Sequence, residues 1–272
     1  MAWSEILSYW PFALGLMVTG VLSGIAAGLL GIGGGAIIVP ALAAALLLLG
    51  YADAVVQHIG VATSLAIIVP TGISSALAHR RRGSLDISVL KLWAPFVVAG
   101  TFVGGLMAGL FSGDALRIVF AALAFLIAAN IVTGFQTRLM GHLKGSPWVH
   151  RLSAIVVGFA SALMGIGGGS LTVPTLVAFG ATMHMAVGTS AALGVAIALA
   201  GTAGFIISGW GVAGMPPLSL GYVNLPAAVL VAAFAPVGAA LAHRMSQKVL
   251  KYTFAAYLVA MGINMLWNAA AA

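Results

Sequence analysis

A glycine run occurs twice in this chain, at the same place in each half: Gly31-Ile-Gly-Gly-Gly35 leading to Pro40, and Gly165-Ile-Gly-Gly-Gly169 leading to Pro174. The copies lie 134 residues apart (31 to 165), about half the length of a 272-residue chain. Each is embedded in a long apolar run. A fold built on this sequence has to repeat, and each repeat has to break a hydrophobic segment at the same point. Membrane carriers assembled from two repeats have this pattern.

Composition restricts the solvent. The chain is 62% hydrophobic and only 6% charged, whereas soluble domains carry about 25% charged residues. An integral membrane protein is the class that fits, and no polar stretch is long enough for a second domain, so residues 1–272 are expected to form a single transmembrane domain. A net charge of +7 would suggest nucleic acid in a soluble protein; here basic residues in short loops serve to orient helices in lipid. There is no cysteine, which excludes disulfides and thiolate metal sites. The first residues lack a basic n-region, so the first apolar segment is expected to remain in the mature protein.

Gly, Pro and charge divide the apolar runs into ten pieces, at about 11–31, 36–50, 58–79, 87–111 and 115–137, then 151–166, 170–181, 184–209, 222–243 and 248–268. The second piece of each half is short. A helix of about 15 residues rises only about 22 Å, less than the roughly 30 Å of a hydrocarbon core. The fold class expected is therefore all-α, with two repeats of about five helical segments, the first two of each being short or broken around the glycines. Repeat one covers about 11–137, a linker about 138–150, and repeat two about 151–268.

The match extends beyond the glycines. His58-Ile-Gly-Val-Ala-Thr63-Ser64 aligns with His184-Met-Ala-Val-Gly-Thr189-Ser190, and Arg117-Ile-Val-Phe-Ala-Ala122 with Lys251-Tyr-Thr-Phe-Ala-Ala256, which places Asn130 on Asn264. Loop charge then orients the halves. His79-Arg-Arg-Arg82 follows the third helix of half one, while Gly209 to Gly221 in half two carries no charge. After the fourth helix the pattern reverses, with Ser112-Gly-Asp114 in half one and His243-Arg244 through Lys248 in half two. Equivalent loops fall on opposite sides, so the repeats are expected to be inverted. Both termini would lie outside and the linker inside, leaving Arg117 as the exception among the 11 Lys and Arg. The parity admits five crossings per half, or three with a re-entrant hairpin.

Glycines at Gly20, Gly24 and Gly28 recur every four residues and suit close helix packing. The triple glycines differ, since each destabilises helix by about 1 kcal/mol relative to alanine. They favour a break, with new helices starting near Ala36 and Ser170. Free N–H groups and a partial positive charge at such ends suit an anion. A dinucleotide site is excluded by the membrane-spanning flanks, and a P-loop by the absence of Lys-Ser or Lys-Thr after the glycines.

Candidate substrate-binding residues are therefore Gly33, Gly34, Gly35, Gly167, Gly168 and Gly169, joined by the hydroxyls of Thr63, Ser64, Thr189 and Ser190 and by the amides of Asn130 and Asn264. His58 and His184 are candidates for proton coupling or gating. Helix-internal bonding is the competing role for the hydroxyls, and interhelical bonding for the amides. The centre of every span lacks an acid or base, which argues against a carboxylate relay, a metal-cation carrier and a membrane hydrolase. No catalytic residue, cofactor or metal is expected.

The runs at 28–40 and 162–174, the paired Thr-Ser helices and His79-Arg-Arg-Arg-Gly-Ser-Leu-Asp86 resemble the TauE/SafE family over essentially the whole chain. The resemblance implies a permease of the bacterial or archaeal cytoplasmic membrane, linked to small sulfur-containing anions such as sulfite and organosulfonates. The expected function is a secondary transporter, in the exporting direction, of such an anion by alternating access. An anion channel and a transporter of a non-sulfur organic anion are the alternatives. Expected partners are the anion and membrane lipid, with no nucleic acid. The uncharged Ala213-Gly-Met-Pro-Pro-Leu218 loop is expected to gate or cap the outer face.

Overall fold

The computed structural model describes residues 13–22, 34–134, 146–242 and 247–271. Among them are ten helices, five in each half. In half one these are α1 (Ala13–Leu22), α2 (Gly35–Leu48), α3 (Asp53–Arg81), α4 (Ile87–Ala108) and α5 (Gly113–Thr133). In half two they are α6 (Pro147–Met164), α7 (Gly169–Ala178), α8 (Met183–Ser208), α9 (Leu225–Ala242) and α10 (Gln247–Ala271). A two-residue hairpin, β1 (Ser219–Leu220) with β2 (Val223–Asn224), precedes α9. Six of the helices are long and apolar enough to cross a membrane: α3, α4, α5, α6, α8 and the Tyr252–Ala270 part of α10.

Local chemistry sets the helix starts. Asp86 accepts from the amides of Ser88 and Val89 at 2.9 and 3.0 Å, and Ser112 from Ala115 at 3.1 Å. Asn224 Oδ1 accepts from Ala227 at 3.0 Å, and Pro147 occupies the first turn of α6, where no amide is needed. α3 begins at Asp53, about five residues earlier than its apolar run, because the polar Asp53 and Gln57 are accommodated in its first turns.

Small residues set the packing. A methyl group at Gly100 of α4 would overlap the Ile155 carbonyl of α6, and one at Gly158 of α6 the Val97 carbonyl of α4. Gly105 and Gly204 bring α4 and α8 together backbone to backbone, and Gly72 seats α3 against Val195 of α8. Gly20 of α1 meets Val231 and Phe234 of α9. In lipid, where helices gain little by hiding apolar surface from one another, this close approach is a principal source of cohesion. α3 and α8 cross at the centre, α5 packs on α10, and α3 also contacts α9.

The first two helices of half two form a hairpin that enters and leaves at one end of the bundle. Phe179, just past α7, stacks on His150 near the start of α6 with ring centres 4.2 Å apart. Trp93 Nε1–H donates to His150 Nδ1 at 3.2 Å and meets Phe179 edge-on. Of the two arrangements admitted by parity, a hairpin that enters and leaves at one end fits the re-entrant one. This end carries Arg80, Arg81, Arg82 and Arg151 and is the basic end of the bundle. In half one α2 returns toward the opposite end, antiparallel to α3, with Gly60 set against Val39 and Ala43.

Arg117, the exception in the loop-charge pattern, lies at that opposite end. Its side chain is buried, forms a bidentate pair with Asp53 and donates through Nη1 to Asp114 at 2.9 Å. Two carboxylates balance its charge, so Arg117 fastens the starts of α3 and α5 and adds no net positive charge to that end.

Candidate functional site

The second glycine run opens the helix, and in the first run the described Gly34 does the same. α6 stops at Met164 because Gly165 adopts φ +67°, a left-handed conformation that glycine takes without strain. The Gly165 and Ile166 amides fold back onto the Ala162 and Ser161 carbonyls at 3.2 and 3.1 Å. Gly168 then caps α7, its carbonyl accepting from Leu171 and Thr172. In half one Gly34 caps α2 at φ +69°, accepting from Ile37 and Ile38 at 3.0 and 3.2 Å. The helices thus start at Gly35 and Gly169, one residue before the expected positions. Amides at such starts lack helical acceptors and carry partial positive charge.

The two breaks touch. A methyl group at Gly35 would overlap the Gly165 carbonyl and come within 3.0 Å of Ser64 Oγ, and Ser64 donates its hydroxyl to that same carbonyl at 2.7 Å. Gly165 rests against Val61 and Val39, and Gly167 against Ile68. Gly168 faces Ile197 and Gly194. Ser190 is one turn before Gly194 on the same helical face. Thus Gly34, Gly35, Ser64, Gly167, Gly168, Gly169 and Ser190 gather around the α3–α8 crossing. Gly33 lies outside the described residues.

The other candidates are placed elsewhere. Thr63 Oγ1 accepts from the Asn224 amide at 3.0 Å, and Thr189 Oγ1 from the Asp86 amide at 2.9 Å. Asn224 and Asp86 are the capping residues of α9 and α4, so each threonine ties its helix to the fourth helix of the opposite half. His58 is buried, with Nε2 at 3.1 Å from both the Ala108 and Phe111 carbonyls. Two acceptors at one nitrogen require the proton there. Tyr222, at the tip of the β hairpin, stacks on the ring at 4.8 Å, and its own burial pushes the phenol above its ordinary range. His184, in the first turn of α8, is exposed. Asn130 is half-buried on α5, and Asn264 is exposed on α10, accepting from Asn268 at 3.2 Å.

Gln57, Ser161, Ser170 and Thr172 are buried polar residues with unpaired side-chain atoms that were not among the sequence candidates. Gln57 is fully buried with neither side-chain atom paired among the described residues. It precedes Val61 and Ser64 on the stripe of α3 that faces Gly165. Ser170 and Thr172, on α7, are likewise buried with unpaired hydroxyls. The available signal was a difference between the copies: Ser170-Leu-Thr172 follows the second glycine run and Ala36-Ile-Ile38 the first.

Comparison with known proteins agrees with this architecture. The family described as Sulfite exporter TauE/SafE matches residues 16–265. A probable membrane transporter protein of Haemophilus influenzae is 34% identical over 258 residues, covering 93% of this chain and 98% of the relative. One from Methanocaldococcus jannaschii is 27% identical over 274 residues, covering 92% and 94%. No solved structure matches. With the family matched along nearly its whole length, and with paired glycine breaks at its centre, this chain belongs to the TauE/SafE sulfite exporter family.

Proposed function

We propose that the protein is a secondary transporter of a small sulfur-containing anion, such as sulfite or an organosulfonate, working by alternating access between two inverted halves. The observation that carries the reading is the contact of the two glycine breaks, Gly35 on Gly165 with Ser64 bridging, at the crossing of α3 and α8. There the start of α2 meets the turn that leads from α6 into the start of α7, and helix starts attract anions. Gly33 would join the site from its place beside Gly34.

Reciprocal pairing supports the inversion. α1 packs on α9 as α6 packs on α4, α3 meets α9 as α8 meets α4, and Thr63 binds Asn224 as Thr189 binds Asp86. Each contact has its partner when the halves are exchanged. Under the positive-inside rule the basic end faces the cytoplasm and both termini lie outside a bacterial or archaeal cytoplasmic membrane. Asn130 and Asn264 then act in helix packing at the α5–α10 contact, and His58 or His184 would carry any proton coupling. The reading is tested by the initial rate of labelled sulfite entry into proteoliposomes as concentration rises. A carrier gives a rate that saturates; a rate that stays linear, or no flux above empty vesicles, overturns it.

A further inference from the structure

The two glycine breaks lead into helices of different polarity. Beyond the second break, Ser170 and Thr172 are 6% and 0% exposed, and Ser190 is 0% exposed. None of their hydroxyls finds a partner among the described residues. Thr172, like Thr202, departs from the common pattern of the helical threonines. Thr19, Thr71, Thr101, Thr133 and Thr175 all donate back to the carbonyl four residues earlier in their helices. The carbonyl in that position for Thr172 is that of Gly168, already taken by the amides of Leu171 and Thr172. Its Oγ1 is instead turned toward the helix start, 3.1 Å from where a Cβ on Gly168 would stand.

Register brings Ser190 to the same place. α7 and α8 run antiparallel through the short turn at 179–182, and Gly168 lies opposite Gly194 and Ile197. Four residues along each helix, Thr172 is then level with Ser190. An unpaired buried hydroxyl costs about 1–3 kcal/mol, and those of Thr172 and Ser190, level with one another across α7 and α8, form a donor pair that lacks an acceptor. Residues 152–243 contain no Asp, Glu, Lys or Arg, so no charged side chain of that segment serves the site. The matching positions in half one are Ala36 and Ile38, both buried and apolar.

The geometry points to an asymmetric oxyanion site in which the hydroxyls of Thr172 and Ser190, beside the start of α7, hold the oxygens of the anion, such as those of sulfite or a sulfonate, while the start of α2 offers backbone amides and no hydroxyl. This deepens the transport reading and rests on it. Hydroxyl and amide donors suit a ligand that only accepts hydrogen bonds.

The test pairs transport with binding. Proteoliposome KM for sulfite is measured alongside thermal-shift titration of the purified protein with sodium sulfite, methanesulfonate and acetate. Thr172→Val should raise both the sulfite KM and the half-saturating concentration about 10-fold, as expected for one lost hydrogen bond to an anion. Thr172→Ser should stay near wild type, and Ser190→Ala should reproduce the valine effect if Thr172→Val does not fold. Ala36→Ser, in the other half, should change neither. Wild-type KM and half-saturation in both Thr172→Val and Ser190→Ala would overturn the inference and leave the transporter reading standing. Saturable sulfite binding without flux, lost in Thr172→Val, would support the site and overturn transport. Absence of both binding and flux in the wild type would overturn both.

Discussion

His58 and His184 occupy the same place in two matching blocks and live in opposite surroundings. His58 is buried, held between two carbonyls and covered by Tyr222. His184 is exposed at the start of α8. Five and six residues on, the halves converge again: Thr63 and Thr189 make reciprocal ties, and Ser64 faces the second glycine break as Ser190 faces the Gly194 side of the same crossing. The halves agree where they pack on each other and diverge where each meets its own end of the bundle. The cover over His58 comes from the longer loop of half two, residues 209–224, whose Gly209 fits under Tyr222. The equivalent turn in half one is too short for such a cover, and its Ser84 carbonyl instead lies against Gly188.

Substitutions at the shared centre should disturb both halves most severely. Gly35→Leu must displace the Gly165 carbonyl, and it should lower transport about 100-fold while the protein still reaches the membrane. Gly15→Leu, at an open position, should stay within about 2-fold in the same flux assay. The end of half one comes next. Asp53→Asn removes the bidentate partner of a buried arginine and should cost about 2 kcal/mol in chemical denaturation, less than a fully buried pair because the carboxylate is partly solvated. Asp114→Asn, which removes a single contact, should cost less. The threonine ties probe the symmetry directly: Thr63→Val and Thr189→Val each leave one amide unpaired and should each cost about 1 kcal/mol. A large cost at one and none at the other would contradict reciprocity. Smallest is His184→Ala, expected within about 0.5 kcal/mol of wild type by the same measurement.

Much of this was legible in the sequence for identifiable reasons. Ten apolar pieces became ten helices, because lipid forces hydrophobic length and helix length to coincide. The triple glycines became breaks, because three residues of poor helix propensity fall together at Gly33–Gly35 and at Gly167–Gly169. A re-entrant pair and two traverses have the same parity, so only the meeting of Phe179 with His150 distinguished them. Arg117 departed from the loop-charge pattern because its main partner, Asp53, is 64 residues away in the chain. Asn130 and Asn264 belong to matched blocks on α5 and α10, the two helices that pack on each other. Ser170 and Thr172 carry no repeat signal, because they are where the two copies part.

If the two glycine breaks belong to inverted halves, their equivalent turns must open on opposite sides of the membrane. The chain has no cysteine, so one can be placed in each turn without background: Ala52→Cys before α3 and Met183→Cys at the start of α8, both at exposed positions. In intact cells, a membrane-impermeant maleimide should label Ala52→Cys directly and Met183→Cys only after the membrane is opened. Labelling of both from the same side would contradict the inversion, and with it the site built on two opposed helix starts.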